Sequence, residues 1–342
     1  MRILLAFCLL ATICQGRRVV PEWEPQDSVW LQWGYDFEAA YRPAMTRIIK
    51  IASQYTNVNV LVRSRRLKYS AKRMVKKAKA NMDNVTFIVK KYDNAWMRDN
   101  GPIYVDVDED IVVGDWKFDA WGNTPGNLGY KLDNQIPAWL TKRLGFDTRY
   151  VYDFVMERGA VEFNGNGAVI TTWPTMKKRN PRWTKEDMEL LFKRAWGLDK
   201  VVWVNTVPPS DKITGGHIDG IARFISKDTV VVTKARDPED EDAAAYDAAA
   251  SDIGEHFNVI RLTGSPEYKY KRQYMYGNYM NWLVGDGYVL VPGFGMPESD
   301  TAARATVQTF FPDRDIYTVD IRALWYNGGG IHCVTNDIPK YK

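Results

Sequence analysis

Strand-like and helix-like stretches alternate along this chain from end to end, and that alternation constrains its fold more than any other feature. Runs rich in Val, Ile and Thr recur at 57–62, 85–89, 103–107, 168–172, 201–205, 229–233, 259–262 and 288–291. Between them, 39–53, 68–80, 185–195, 243–256 and 300–310 carry helix-like spacing of apolar residues. Thr184, with Asp187 three positions on, is an N-cap signal for one of these. Such alternation predicts an α/β fold. The chain has 342 residues, 45% of them hydrophobic, enough for a sizeable core. No Gly/Ser-rich or Pro-rich linker divides it, so residues 17–342 read as a single domain. Strict repeats are not visible, although the strand–helix unit recurs several times.

The first sixteen residues differ from the rest. Arg2 precedes an apolar run of eleven residues from Ile3 to Ile13, and Cys14 and Gly16 place small residues at −3 and −1 of a cleavage point. Residues 1–16 therefore read as a secretory signal peptide, too short to span a bilayer. Of the three cysteines, Cys8 and Cys14 leave with it, and Cys333 alone remains. One free thiol in an oxidising compartment is either buried and inert or kept for its reactivity. Localisation is expected to be extracellular, with no membrane partner once the leader is removed. Asn84-Val85-Thr86 is an N-glycosylation acceptor. The net charge of +4, with both signs interspersed, does not argue for nucleic acid. The acidic run 237–242 lacks the ligand spacing and turn glycine of a calcium loop and reads as a solvated loop.

Four short islands look unlike scaffold. Trp96-Met97-Arg98-Asp99-Asn100-Gly101-Pro102 is expected on a turn at a strand end, with Trp96 as a pocket wall. Met156-Glu157-Arg158-Gly159 leads through the hairpin signal at 164–167 into a strand. In Gly215-Gly216-His217-Ile218-Asp219-Gly220, an extended backbone would put His217 and Asp219 on one face. In Gly328-Gly329-Gly330-Ile331-His332-Cys333, glycines leave room for a substrate to reach the thiol.

A cysteine, a histidine and several acids suggest nucleophilic catalysis, and the acids narrow the substrate. A pocket holding Asp99, Glu157 and Asp219 wants a cation. A guanidinium is permanently charged, planar and carries five N–H donors, which two aspartates can largely satisfy. Its charge would also favour the thiolate of Cys333. At an unperturbed pKa near 8.5, only about 3% of a thiol is ionised at neutral pH.

The islands together resemble the agmatine deiminase and bacterial-type peptidylarginine deiminase family of the guanidino-group-modifying (pentein) superfamily. Pro21-Glu22-Trp23-Glu24-Pro25, Val29-Trp30-Leu31, Trp33, the Trp96–Pro102 block, Phe118-Asp119-Ala120-Trp121-Gly122, Gly216-His217-Ile218-Asp219, Ala222-Arg223-Phe224 and Gly329-Gly330-Ile331-His332-Cys333 carry the resemblance, in order, from Val20 to Pro339. It implies a five-bladed α/β propeller with the site on its axis. It implies that Cys333 attacks the guanidinium carbon, His217 acts as acid and base, Asp99 and Asp219 clamp the substrate, and Glu157 orients His217. Substrate contacts are expected from Trp96, Arg98, Trp121, Arg158, Asn281, Gly329 and Gly330. No metal or organic cofactor is implied. The product would be a ureido compound plus ammonia, with agmatine as the first substrate, in putrescine biosynthesis, and free or peptidyl arginine as the alternative. Assembly into homo-oligomers is common in the family. Arg158 stands where the family usually has glycine, which favours a substrate bearing a carboxylate over agmatine.

Three other readings remain open at this stage: an amidinotransferase, a zinc site of His217, Asp219, His332 and Cys333, and a secreted binding protein that has lost activity.

Overall fold

The computed structural model describes residues 16–123 and 129–341. The leader, apart from Gly16, lies outside them, as do Cys8 and Cys14. One pattern is repeated five times: two antiparallel strands, a helical crossover, and a third strand parallel to the second. In the second unit Ile103–Val107 pairs antiparallel with Asp110–Lys117, the chain passes through the helix Ile136–Leu144, and Arg149–Val155 returns parallel. The third unit is Val161–Phe163, Ala168–Thr172 and Lys200–Val204. The fourth is Ala222–Phe224, Thr229–Lys234 and Asn258–Thr263. The fifth is Leu283–Gly285, Tyr288–Gly293 and Asp315–Asp320.

The first unit joins the two ends of the chain. Its opening strand is the C-terminal Thr335–Pro339, antiparallel to Gln26–Gln32, which is followed by parallel Asn57–Val62 and Val85–Val89. A one-residue register shift between Ile338 and Pro339 ends that pairing, where proline has no N–H to give.

Local sequence explains the elements. Asn57–Val62 is parallel on both sides, and its apolar residues Val58, Val60, Leu61 and Val62 are buried while Asn57 and Asn59 are not. Helix Arg65–Lys77 starts where the Ser64 hydroxyl accepts from the Leu67 amide. Helix Lys185–Trp196 has the capping box expected at Thr184 and Asp187, and ends at Gly197 with φ 66°. The turn at 164–167 closes the hairpin foreseen there, with positive φ at Gly165 and Gly167. Among the described residues, no helix is long and apolar enough to cross a membrane.

The Val-, Ile- and Thr-rich runs seen in sequence all correspond to observed strands, mostly the second and third of a unit, with Ile103–Val107 an opening strand. Several strands were not visible there: Gln26–Gln32, Asp110–Lys117, Arg149–Val155, Asp315–Asp320 and Thr335–Pro339. The acids at 237–242 serve local structure. Asp237 accepts from the Glu239 amide, Asp240 from the Asp242 amide, and Asp242 from the Ser210 amide and hydroxyl. Asn84 is half-buried and its amide nitrogen donates to the Ser53 carbonyl.

Candidate active site

The five units place the functional side chains by one rule. Each opening strand is preceded, within four positions, by a polar residue of the site. Asp99 precedes Ile103–Val107, Glu157 precedes Val161–Phe163, Asp219 precedes Ala222–Phe224, Asn281 precedes Leu283–Gly285, and Cys333 precedes Thr335–Pro339. All five are buried.

Local backbone aims them. Asp99 sits on the one-turn helix Met97–Asn100, tied back by the Arg98 amide to the Cys333 carbonyl. His217 and Asp219 were expected side by side on an extended strand. Instead, Ile218–Gly220 is a 3-10 turn with His217 as its N-cap. The turn still brings both inward, because His217 reaches Asp99 and Glu157 while Asp219 reaches Cys333.

The distances define a compact constellation. Cys333 Sγ lies 3.8 Å from Asp219 Oδ2 and 3.3 Å from Asn281 Nδ2. His217 Nε2 is 3.2 Å from Glu157 Oε2. Its Nδ1 faces Asp99 Oδ1 at 3.6 Å, too long for a good hydrogen bond, and has no other partner. Asp99 accepts from Trp121 Nε1 at 2.8 Å and from the Gly159 amide at 3.2 Å. A cavity of about 750 Å3, lined by Cys333, His217, Asp219, Asn281 and Gly329 at its inner end, opens outward past Tyr274, Tyr276 and Tyr326.

Gly159 lets the site's side chains pack against the backbone. A Cβ there would stand 2.8 Å from both Asp99 Oδ1 and His217 Nδ1, and 3.0 Å from Asp219 Oδ2. Only a residue without a Cβ lets these three side chains close on the same stretch of backbone, so an added methyl would push them apart. Gly159→Ala should therefore remove most turnover, with kcat/KM falling at least about a hundredfold, while the fold persists. Steady-state assay beside thermal melting checks this. Full activity would show that the close approach of these side chains to Gly159 does not matter to turnover.

The charges are set unequally. Burial, Asp219 and Asp99 push the Cys333 thiol well above its usual range. Burial works against the His217 imidazolium, but Asp99, Glu157 and Asp219 outweigh it and lift His217 to about 9. Burial lifts Asp99 to about 6, opposed by His217 and assisted by Asp219 and Glu157. Glu157 and Asp219 are lowered despite burial, Glu157 mainly by Arg179 and His217, Asp219 mainly by His332 and His217. At neutral pH the empty site thus holds a protonated thiol, an imidazolium and ionised carboxylates. It is short of positive charge, and a guanidinium would supply it.

Two expected substrate contacts need correction. Arg98 donates to Asp337 at 2.8 Å and to the His332 carbonyl at 3.2 Å, and its Nη1 lies 3.0 Å from Glu22. Arg158 donates to Asp337 at 2.9 Å and to Asn336 at 3.3 Å. Both guanidiniums are buried in an ion-pair cluster behind the site, because Asp337 and Glu22 need partners there. Arg158 therefore does not present its charge to the cavity, and the case it made against agmatine lapses. Trp121 bonds to Asp99, while Trp96 packs beneath Gly329, where a Cβ would come 2.3 Å from its ring. Gly330 leaves room for Asn281, whose Oδ1 would lie 2.4 Å from a Cβ.

Three residues absent from the expected site belong to it. Arg179 Nε donates to Glu157 at 2.7 Å and its Nη2 to the Thr214 carbonyl at 2.7 Å. Glu22 meets His332 Nε2, and His332 Nδ1 lies 2.7 Å from Asp219 Oδ2. With both ring nitrogens facing carboxylates, His332 has no lone pair directed at a metal. Among the described residues, no three His, Cys, Asp or Glu side chains form a metal-holding group.

Comparison with known proteins agrees with this geometry. Residues 18–339 match the family model described as Porphyromonas-type peptidyl-arginine deiminase. The agmatine deiminase of Pseudomonas syringae pv. syringae is 29% identical over 362 aligned residues, covering 95% of this chain and 96% of that protein. The solved agmatine deiminase of Enterococcus faecalis is 27% identical with a TM-score of 0.87, covering 96% of this chain and 98% of the other. A substrate-bound agmatine deiminase from C. jejuni, 23% identical, shares the fold with a TM-score of 0.86 over 95% of this chain and 97% of its own.

Proposed function

This chain belongs to the Porphyromonas-type peptidyl-arginine deiminase family, and on that premise we propose that it hydrolyses a small guanidino substrate, agmatine first, to a ureido product and ammonia. The observation that carries the reading is the convergence of the Cys333 thiol, 3.8 Å from Asp219, with an imidazole, His217, set between Asp99 and Glu157. The five repeated units are read as blades of a five-bladed α/β propeller, with the opening strands nearest the axis.

The steps follow from the charges. The guanidinium enters between Asp99 and Asp219, and its positive charge offsets the two carboxylates that, with burial, hold the Cys333 thiol up. The thiol proton leaves to solvent and the thiolate attacks the guanidinium carbon, giving a neutral tetrahedral adduct. His217, an imidazolium with a pKa of about 9, protonates one nitrogen. Ammonia departs and leaves a cationic thiouronium on Cys333. The now neutral His217 takes a proton from water as it attacks the same carbon. Collapse expels the thiolate, the adduct's hydroxyl proton passes to solvent, and the neutral ureido product leaves. Glu157, held by Arg179, steadies His217 through both transfers.

Agmatine is favoured over arginine by two observations. Arg98 and Arg158 are bonded behind the cavity and do not meet an α-carboxylate, and Arg236, which lines it, is held by the Gly264 carbonyl and the Ser299 hydroxyl. The outer wall carries Glu239, Asp240 and Glu241 beside Tyr274 and Tyr276, which suits a second cation. The test is ammonia and ureido-product release from agmatine, free arginine and peptidyl arginine, with an added amine to expose amidino transfer. Agmatine should be turned over fastest. Arg158→Gly should keep the order of substrates and lower the melting temperature, because it leaves Asp337 with Arg98 alone. A preference that switches in that variant would return Arg158 to the substrate. No ammonia from any guanidine would favour a binding protein. Export by the leader is part of the same proposal, checked by the N-terminus of protein recovered from the medium.

A further inference from the structure

Behind the clamp lies a buried charge cluster whose composition bears on the reaction. Four carboxylates, Glu22, Glu162, Asp219 and Asp337, meet three guanidiniums, Arg98, Arg158 and Arg223. Every one of these groups is at least nine-tenths buried or within a few percent of it. Such a group is costly unless its charges balance. One positive charge is missing, and His332 stands where it is needed. Its ring is 2% exposed. Nδ1 lies 2.7 Å from Asp219 Oδ2, and Nε2 lies 2.5 Å from Glu22 Oε1. Two carboxylate oxygens can both be satisfied only if each ring nitrogen offers a proton. Glu22 and Asp219 are themselves held below the usual carboxylate range, Glu22 against its burial by His332, Arg223 and Arg98.

The neighbourhood fixes this ring on all sides. Its own amide donates to Asn281 Oδ1 at 2.9 Å and its carbonyl accepts from Arg98 Nε at 3.2 Å. Glu22 is gripped by Arg223 Nη2 at 2.8 Å and faces Arg98 Nη1 at 3.0 Å. The next residue along the chain is the nucleophile. We propose that His332 is a positioning residue of the reaction: a doubly protonated ring, strung between Glu22 and Asp219, that fixes Asp219 as a pure acceptor for the guanidinium. This rests on the deiminase reading above and extends it. Asp219 has two demands on it, since it also stands 3.8 Å from the Cys333 thiol. An Asp219 free to rotate or to take the thiol proton would release its grip on the substrate. With a proton held against Oδ2 by His332, Asp219 is oriented and is a weak base. The thiol proton must then leave by another route, and the clamp stays charged through the cycle.

Three histidines in the sequence make the test direct. Protein labelled with nitrogen-15 at histidine is recorded at the pH of the assay, and His332 is assigned by the signal lost in His332→Gln. Both His332 ring nitrogens should carry protons. A ring with one protonated nitrogen overturns the proposal without recourse to any variant's folding. The kinetic arm uses His332→Gln and Glu22→Gln beside the parent. Both should raise KM for agmatine roughly tenfold or more with a smaller fall in kcat, the pattern of a loosened ground-state clamp. Melting losses with unchanged KM would make His332 a packing residue and end the proposal. A parent protein that turns over no guanidine would instead sink the deiminase reading, a result the nitrogen-15 spectrum would distinguish from failure of the inference.

Discussion

Cys333→Ala is expected to release no ammonia above the uncatalysed background, a loss of roughly a millionfold or the assay limit, while folding and substrate binding survive. The thiol supplies the bond that breaks C–N cleavage into two steps, and no second nucleophile stands at the site: Cys333 is the one free cysteine among the described residues. Structural damage should be slight. The side chain is small, and its removal leaves Asn281 Oδ1 still accepting from the His332 amide. A change of about 1 kcal/mol, a shift of a few degrees at most in a chain of this size, is the expected cost. Binding is the sharper readout. In the parent, burial together with Asp219 and Asp99 holds the thiol protonated, and a bound guanidinium offsets the two carboxylates, so binding should release a proton. In Cys333→Ala that release should vanish, and agmatine should still bind. Calorimetry in two buffers of different ionisation enthalpy counts the proton. Turnover that survives the substitution removes Cys333 from the chemistry. Equal proton release in both proteins removes the substrate-assisted thiolate but leaves the nucleophile.

How much of this was legible from the residues alone depends on where each group finds its partner. The islands around Asp99, Glu157, Asp219 and Cys333 stood out because glycine, tryptophan and the rare histidine and cysteine cluster at strand entries, and the entries converge. His217 and Asp219 were grouped correctly for an incorrect reason. Alternation along a strand would have aligned them, but a 3-10 turn does so instead. Arg98 and Arg158 were misplaced because an arginine beside an acid looks the same whether it faces a ligand or a buried carboxylate. Their partner Asp337 lies more than 170 residues away, and no local pattern announces it. Arg179, within a run of basic residues, carried no signal that it would turn inward to Glu157.

The strands that escaped notice have the same cause. Gln26–Gln32 and Thr335–Pro339 are the paired heart of the first unit, yet they read as polar. Their polar side chains are buried because distant groups satisfy them: Gln26 Nε2 donates to the Val284 carbonyl at 2.9 Å, and Asn336 Nδ2 to the Met97 carbonyl at 3.3 Å. Periodicity detects burial by apolar contact and is blind to burial by long-range hydrogen bonding. The fivefold rule of a site residue just ahead of each opening strand was equally hidden. Its members Asp, Glu, Asp, Asn and Cys share a position and not an identity, so comparing one unit's sequence with another's shows no repeat.

Asp99→Asn is expected to separate activity from stability in opposite directions. Burial, with Asp219 and Glu157, lifts the Asp99 carboxyl to about 6 despite His217, against an unfolded value near 3.9. A carboxyl raised by folding binds its proton more tightly in the native state. Stability is therefore gained as pH falls from about 6 toward about 4, and above that window the buried charge opposes folding by something on the order of 3 kcal/mol. Asparagine removes that charge. It keeps an oxygen to accept from either Trp121 or the Gly159 amide, and forfeits one of those two bonds. At pH 8 the variant should melt no lower than the parent, and the parent's gain on acidification should be smaller in the variant. Activity should move the other way. The guanidinium loses one of its two charged acceptors, which puts kcat/KM down by about a hundredfold to ten-thousandfold. The parent's kcat/KM should also fall below about pH 6 as Asp99 takes up its proton, and the variant should lack that limb. Undiminished kcat/KM would dismantle the two-carboxylate clamp. A deep loss of melting temperature would mean that Asp99 is ionised for the fold's benefit, and that the balance of charges assigned to this pocket has the wrong sign.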